Sequence, residues 1–116
     1  MPTVPDHWRS PCPVSRILEI LGDKWSLLVI RDLFLGRSRF KEFMASPEGI
    51  PTNILTDRLQ KLNEHGLIEK KPISDGAKRH AYALTQKGKD LGPILQAMVD
   101  WSLKHEAGTE VLLKKI

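Results

Sequence analysis

Polar side chains that could read the edges of DNA bases gather on one face of the helix that the sequence predicts from Thr52 to residue 66. At 100° per residue, Leu55, Leu59 and Leu62 lie within about 60° of one another and form the opposite, apolar face. The polar positions are Asn53, Thr56, Asp57, Gln60 and Lys61. Asn and Gln can pair with adenine, Thr can contact a thymine methyl group, and Lys suits a phosphate or a guanine. The pattern predicts a DNA-reading face, with a merely solvated helix face as the alternative.

Three residues of this helix have less direct interpretations. Thr52, as the helix cap, lies where backbone N–H groups point at a phosphate. Asp57 is unfavourable near phosphates unless it accepts a hydrogen bond from cytosine or orients an arginine. Arg58 lies at the edge of the apolar stripe, so it either reaches the DNA backbone or stabilises the domain. All three are kept as candidate DNA-binding residues.

Cationic side chains flank this helix on both sides in the sequence. Residues 36–85 carry nine basic and six acidic side chains, a net +3 out of the whole chain's +4. Arg37, Arg39 and Lys41 surround the start of a short third helix, and Lys78, Arg79 and His80 follow a flexible Asp75-Gly76 turn. A cationic hairpin tip beside a polar helix can straddle a phosphate backbone or enter a narrow minor groove. Arg39, Lys41 and the three residues 78–80 are therefore candidate DNA contacts.

Apolar spacing and turn residues predict the elements that hold these side chains. Helices begin at Pro13, after Asp23, after Ser38 and at Thr52; strands cover 67–73 and 80–84; Thr85 caps a long final helix that contains Pro93 and is interrupted at Gly108. This order predicts a mainly α protein with a small β-hairpin, a winged helix-turn-helix with a long C-terminal dimerisation helix. We assign residues 1–12 to an irregular arm, 13–85 to the DNA-binding domain, and 86–116 to the dimerisation helix and tail of the same single domain.

The predicted final helix carries an apolar stripe larger than a compact winged domain can cover. The stripe comprises Leu91, Ile94, Leu95, Met98 and Trp101. It predicts a homodimer interface in which the first helix and Leu112-Leu113 could share the burial, and packing on the helix's own domain is the alternative. A two-fold dimer would set two reading helices about one DNA turn, roughly 34 Å, apart.

Length and composition limit the other classes of function. The chain has 116 residues, which is room for one domain, and its longest aliphatic run, residues 27–30, is too short to span a bilayer. One cysteine and an N-terminus without an apolar stretch predict a protein of the reducing cytoplasm. The four histidines are scattered, and no metal, nucleotide or catalytic motif occurs. We therefore expect no metal, no cofactor and no enzymatic activity.

Several segments occur together in a familiar order. They are Cys12-Pro13-Val14, Ile20-Leu21-Gly22-Asp23-Lys24-Trp25, Arg39-Phe40-Lys41-Glu42-Phe43, the stretches 50–59 and 62–68, Tyr82-Ala83-Leu84-Thr85-Gln86-Lys87-Gly88, and Leu91-Gly92-Pro93-Ile94-Leu95. In these segments, which span roughly residues 12–105, the chain resembles the HxlR-type transcriptional regulators, winged-helix proteins related to the MarR group. The resemblance implies a homodimer on pseudo-palindromic operators, with the fourth helix in the major groove and the hairpin as the wing.

The resemblance also gives Cys12 an implied role, because it matches an N-terminal cysteine with which some members sense oxidants or electrophiles. Without a second cysteine an intrachain disulfide is impossible, which leaves an intermolecular or mixed disulfide, or an adduct. Arg16, Lys24 or the N-terminus of the first helix could lower the pKa of the thiol. The alternative is a small buried residue that packs against the first helix.

The sequence therefore predicts a homodimeric, sequence-specific regulator of transcription that binds double-stranded DNA, with a small oxidant or electrophile as the candidate signal at Cys12. A winged-helix module for protein–protein contact, without DNA binding, is the alternative.

Overall fold

The structure, a computed structural model, describes residues 8–73 and 79–111. Its elements are α1 (Pro13–Leu21), α2 (Ser26–Phe34), α3 (Phe40–Met44), α4 (Thr52–Glu64), β1 (Ile68–Pro72), β2 (His80–Leu84), α5 (Gln86–Lys89) and α6 (Gly92–His105). The predicted fold class is confirmed, because the described chain is mainly helical with one two-stranded antiparallel sheet. The hairpin turn at 74–78 and the tail residues Leu112 and Leu113 lie outside the described residues.

One hydrophobic core lies between the helices and the base of the hairpin. Its buried members are Leu21, Val29, Ile30, Phe43, Ile50, Leu55, Leu59, Leu62, Leu67, Ile68, Leu91 and Leu95. Each helix from α1 to α4 contributes at least one of them, so the apolar stripe of α4 faces the interior as its spacing predicts.

Asp23 caps α2 from outside the helix. Its carboxylate accepts hydrogen bonds from the backbone N–H groups of Trp25 and Ser26, both at 3.0 Å, and from the Ser26 hydroxyl at 2.6 Å. The helix itself begins at Ser26, three residues beyond the predicted cap. These bonds satisfy N–H groups that a helix start leaves without an intrahelical partner.

The hairpin has the register that places Pro72 at its far end. Ile68 lies opposite Leu84 and Pro72 opposite His80, as expected for a proline near the end of an edge strand. The backbone N–H of Tyr82 also donates to the Ser38 carbonyl at 2.8 Å. The strand β2 is thereby joined to the loop just before α3.

The prediction of one long final helix from residue 86 is wrong, because the helix is divided at residues 90–91. Thr85 does cap the first piece: its hydroxyl accepts from the N–H of Gly88 at 3.1 Å. The second piece has Pro93 in its first turn, and a proline lacks the N–H needed to continue the preceding helix. Gly88 packs so tightly that a Cβ would lie 2.1 Å from the Leu67 carbonyl oxygen. The short α5 is therefore seated against the start of the hairpin.

Candidate nucleic-acid interface

The polar face of α4 is open to solvent while its apolar face is buried. Thr52, Asn53, Thr56, Asp57 and Gln60 are exposed, and Lys61 is half-buried. Pro51, and not the predicted Thr52, occupies the N-cap position. Thr52 is instead the first residue of the helix. The helix start is nevertheless exposed, with its first side chains directed away from the core.

Several of these side chains already have partners on α4. The hydroxyl of Thr56 donates to the Thr52 carbonyl at 3.0 Å, and the amide of Gln60 donates to Glu64 at 3.1 Å. Among the described residues, the Asn53 side chain forms no hydrogen bond. Its amide is thus available to an incoming base edge without breaking an existing bond.

Arg58 is held within the protein. Its Nε donates to Asp23 at 2.8 Å, and its guanidinium also pairs with Asp57. Burial opposes ionisation of Asp23, but the bonds from Ser26, Arg58 and two backbone amides outweigh it and hold the pKa of this carboxyl well below its ordinary value. Of the two interpretations of Arg58, this contact matches the stabilising one, because it ties α4 to the cap of α2.

Exposed cations lie at the start of α3. Arg39 and Lys41 are exposed, and Arg39, rather than the predicted Ser38, is the N-cap. The Glu42 carboxylate accepts from the backbone N–H groups of Ser38 and Arg39, each at 2.9 Å, and these bonds lower the pKa of Glu42. The helix start is stabilised by Glu42, so neither cation is needed to cap it.

The exposed cations of the described hairpin are Lys70 and Lys71 on β1 and Arg79 before β2. Arg79 is exposed immediately before β2, and His80 is half-buried opposite Pro72. Lys78, predicted to act with them, lies outside the described residues. Because β2 is bonded to the loop before α3, Arg79 and the α3 cations belong to connected elements.

A buried ionic cluster supports the turn between α3 and α4, and the sequence analysis missed it. Asp32 is only 2% exposed and accepts from the Ser46 hydroxyl, from Arg31 at 3.0 Å and from Arg37 at 3.4 Å. Arg31 also donates two bonds of 2.8 Å to Glu48. An aspartate inside the apolar run of α2 was the available signal, since buried carboxylates need partners. The cluster fixes the turn that leads into α4.

Cys12 is exposed at the N-cap of α1, so the alternative of a buried packing residue is wrong. Hydrogen bonds from the backbone of Ser15 and then Val14 lower the pKa of its thiol. The predicted helix N-terminus is therefore the cause, and the predicted cations are not. The Arg16 guanidinium lies instead 4.5 Å from the centre of the Trp8 ring.

The arm that carries Cys12 also approaches the far end of α4. The Trp8 ring lies 6.4 Å from the ring of His65, which is the C-cap residue of α4. Arg9 pairs with Glu19 on α1, so the arm is held against α1 as well. The segment around Cys12 thus contacts both the first helix and the end of the candidate reading helix.

The residues predicted for a dimer interface divide into two groups. Leu91 and Leu95 are each 7% exposed and pack in the chain's own core, whereas Ile94, Met98 and Trp101 are 39%, 48% and 59% exposed. Val14 and Leu18 are also exposed apolar residues, and they lie on α1, the helix expected to share the burial. Leu91 and Leu95 thus pack on their own domain, as the alternative predicted. For Ile94, Met98 and Trp101 the dimer interface stays a prediction.

In the part of the chain that the structure describes, no helix has the length and apolarity needed to cross a membrane. The same residues contain no group of three or more His, Cys, Asp or Glu side chains placed to hold a metal ion.

A short third helix, a turn, an exposed polar helix and a hairpin define a winged protein of the helix-turn-helix class. The sequence profile of the HxlR-like helix-turn-helix family matches residues 20–109, and the chain belongs to this family. The regulator sll1512 of Synechocystis sp., an uncharacterised HTH-type transcriptional regulator, is 35% identical over 101 residues, which are 87% of this chain and 70% of that protein. Mycobacterial relatives are 40% identical over 88 residues, and the chain spans 55% of their length.

Solved structures share the fold. PA1607 has a TM-score of 0.81 and 39% identity, covering 95% of this chain and 77% of that one. The reduced transcriptional regulator YodB of B. subtilis has a TM-score of 0.70 and 27% identity, covering 87% of this chain and all of that one, and YodB is also known with quinone bound. The family and the relatives are transcriptional regulators and not enzymes, which confirms the prediction of no enzymatic activity. The chain is a transcriptional regulator of the HxlR type.

Proposed function

We propose that this regulator acts in the cytoplasm as a homodimer on double-stranded DNA, with α4 in the major groove and the hairpin over the adjacent backbone. The observation that carries the proposal is the exposed polar face of α4. Its Asn53 side chain forms no hydrogen bond among the described residues, and the buried leucines lie on the opposite side. A major groove admits an α-helix and presents a distinct pattern of donors and acceptors for each base pair.

The charges around α4 favour the same assignment. Arg39 and Lys41 are exposed before α4 in the chain, and Arg79 is exposed after it. Among the described residues none of the three forms an ion pair, so their charges are available to phosphates. Phosphate contacts supply most of the affinity and orient the reader on the duplex.

Exposed apolar residues on α1 and α6 support the homodimer. Val14 and Leu18 on α1, and Ile94, Met98 and Trp101 on α6, leave large side chains in water. A two-fold dimer that buries them would place two copies of α4 about 34 Å apart, which is one turn of B-DNA. One chain then reads half of a pseudo-palindromic operator.

Asn53→Ala tests the base-reading role directly. Loss of a bidentate contact should reduce the preference for the selected operator over random DNA about ten-fold or more, with little change in affinity for random DNA. The measurement is selection of bound genomic fragments by the purified protein, followed by titration of selected and random duplexes. The selected fragments should share two half-sites about 34 Å apart.

Asn63→Ala is the matched control, because Asn63 is an exposed asparagine on the same helix, about 15 Å further along its axis. This variant should keep the wild-type preference. A chain that selects no fragment, or an Asn53→Ala variant that weakens binding to all sequences equally, contradicts the proposed reading face. Selection of nothing would favour the protein–protein module instead.

We further propose that Cys12 receives an electrophile such as a quinone. The support is its exposure, its place at a helix N-terminus and the likeness to YodB, which is known with quinone bound. The thiolate sulfur adds to a ring carbon of the quinone, and the ring becomes a hydroquinone after taking up protons from water. An adduct at this position would disturb the arm whose Trp8 lies beside His65, at the end of α4.

Quinone treatment should therefore lower the DNA affinity of the wild-type protein and leave that of Cys12→Ser unchanged. Because the folded thiol has a lowered pKa, its alkylation by iodoacetamide should reach half of the maximal rate at a lower pH than in the urea-unfolded chain. The unfolded chain is a clean control, since Cys12 is its one cysteine. An identical quinone response in both proteins would exclude Cys12 as the sensor.

A further inference from the structure

An apolar groove runs between α2 and α6 and adjoins the proposed dimer contacts at Met98. Its volume is about 450 Å³, within the range of about 300–1,000 Å³ typical of small-molecule sites. The apolar lining includes Leu28, Leu35, Leu95, Val99, Leu103 and Val111. Of the three exposed α6 residues of the proposed dimer interface, Met98 lines the groove, whereas Ile94 and Trp101 do not. Among the described residues, Met98 is therefore the one that the groove shares with these dimer contacts.

The polar lining is acidic once internal pairs are counted. Arg31 is already engaged, since it donates two bonds of 2.8 Å to Glu48 and bonds of 3.0 and 3.2 Å to Asp32. Glu110 also lines the groove and forms no ion pair within the described residues. Arg31 and Glu48 cancel, so Glu110 leaves the lining with a net negative charge. An anionic ligand would have to displace Glu48 from Arg31. A cation meets the Glu110 carboxylate directly and competes with Arg31 for the carboxylate of Glu48.

We propose that this groove binds a small amphipathic cation, with its apolar body between α2 and α6 and its protonated amine against the carboxylates of Glu48 and Glu110. The apolar lining supplies burial, and the carboxylates supply charge-assisted acceptors. Glu48 remains ionised at neutral pH because the bonds from Arg31 lower its pKa. The binding itself is independent of the proposed DNA contacts.

The position of Glu48 connects the groove to the reading helix. Glu48 lies in the turn between α3 and α4, four residues before Thr52, and its contact with Arg31 fixes that turn to α2. A bound amine competes with Arg31 for Glu48 and so changes the support of α4. Ligand binding should therefore change DNA affinity, and this coupling rests on the proposed function.

The test uses three compounds that share one ring system and differ in charge: 1-naphthylmethylamine, 1-naphthalenemethanol and 1-naphthoic acid. Calorimetric titration of the full chain without DNA at neutral pH should rank the amine first, about ten-fold tighter than the alcohol, and the acid last. Glu110→Gln, a change at an exposed residue, should lower amine affinity severalfold and leave alcohol affinity unchanged. Val99→Phe should abolish binding by filling the groove, and Ala97→Phe, on the exposed side of α6, should not.

Tightest binding by the acid, no binding by any of the three compounds, or equal effects of Val99→Phe and Ala97→Phe would overturn the inference. If a second copy of the chain covered the groove, none of the three compounds would bind. No DNA is present in the titration, so a protein that binds operator DNA but none of the compounds contradicts this inference alone.

Discussion

Arg39→Glu combined with Arg79→Glu should lower affinity for every DNA sequence, by about a hundredfold or more at low salt. Both arginines are exposed, and neither forms an ion pair among the described residues. The recorded charge interaction of Arg39 is with Glu42, whose pKa it helps to lower. Each lost phosphate contact should also reduce the slope of log affinity against log salt concentration by about 0.9. Titration of a fluorescent duplex at several salt concentrations measures both quantities.

A matched pair of reversals separates local contacts from net charge. Lys89→Glu with Lys104→Glu makes the same change in net charge, at exposed residues of α5 and α6, outside the helix-turn-helix and the hairpin. This control should lose far less affinity and keep the wild-type salt slope. Equal losses in the two double variants would mean that α3 and the hairpin do not contact phosphates.

Much of the frame around α4 could be predicted because its signals are local. The three-leucine stripe of α4 and the Asp-Gly turn between two short apolar runs each specify an element without reference to distant residues. The final helix could not be predicted in the same way. Pro93 marks the point where the helix is divided, but the place of the first piece depends on Gly88, which lies against the Leu67 carbonyl only after the hairpin has folded back onto α5.

In the candidate interface, too, local sequence signals predict the exposure of single side chains but not their distant partners. Exposure of Asn53 and Gln60 follows from helical periodicity, which the sequence contains. The partner of Arg58 is Asp23, 35 residues earlier, and helical periodicity carries no information on that contact. Likewise, Arg37 reads as a free cation in the sequence but is bonded to the buried Asp32. The tertiary fold therefore decides which cations of a basic segment are bonded within the protein and which can contact DNA.

Asp32→Ala should have the largest effect on folding, lowering the free energy of unfolding by about 3–5 kcal/mol out of a typical total of about 5–15 kcal/mol. The carboxylate is 2% exposed and accepts from Ser46, Arg31 and Arg37, so its removal leaves a buried hydroxyl and the half-buried Arg37 without this acceptor, and Arg31 with Glu48 alone. Urea denaturation followed by tryptophan fluorescence measures the change. Asp100→Ala on α6 is the control, because Asp100 is exposed and accepts only from Gln96 among the described residues, at 3.0 Å; its effect should stay within about 0.5 kcal/mol.

The same substitution should weaken DNA binding even where the protein remains folded, because Asp32 holds Ser46 and helps to orient Arg31, whose other partner is Glu48. Ser46 and Glu48 both lie in the turn that sets the direction of α4. The milder Ser46→Ala keeps every charge and removes one hydroxyl from this cluster, so it should lower operator affinity at temperatures where circular dichroism shows a fully folded chain. Two results together would contradict this role of the buried cluster: a free energy of unfolding of Asp32→Ala within about 1 kcal/mol of the wild-type value, and normal operator binding by Ser46→Ala. The packing of the α4 leucines alone would then set the direction of the reading helix.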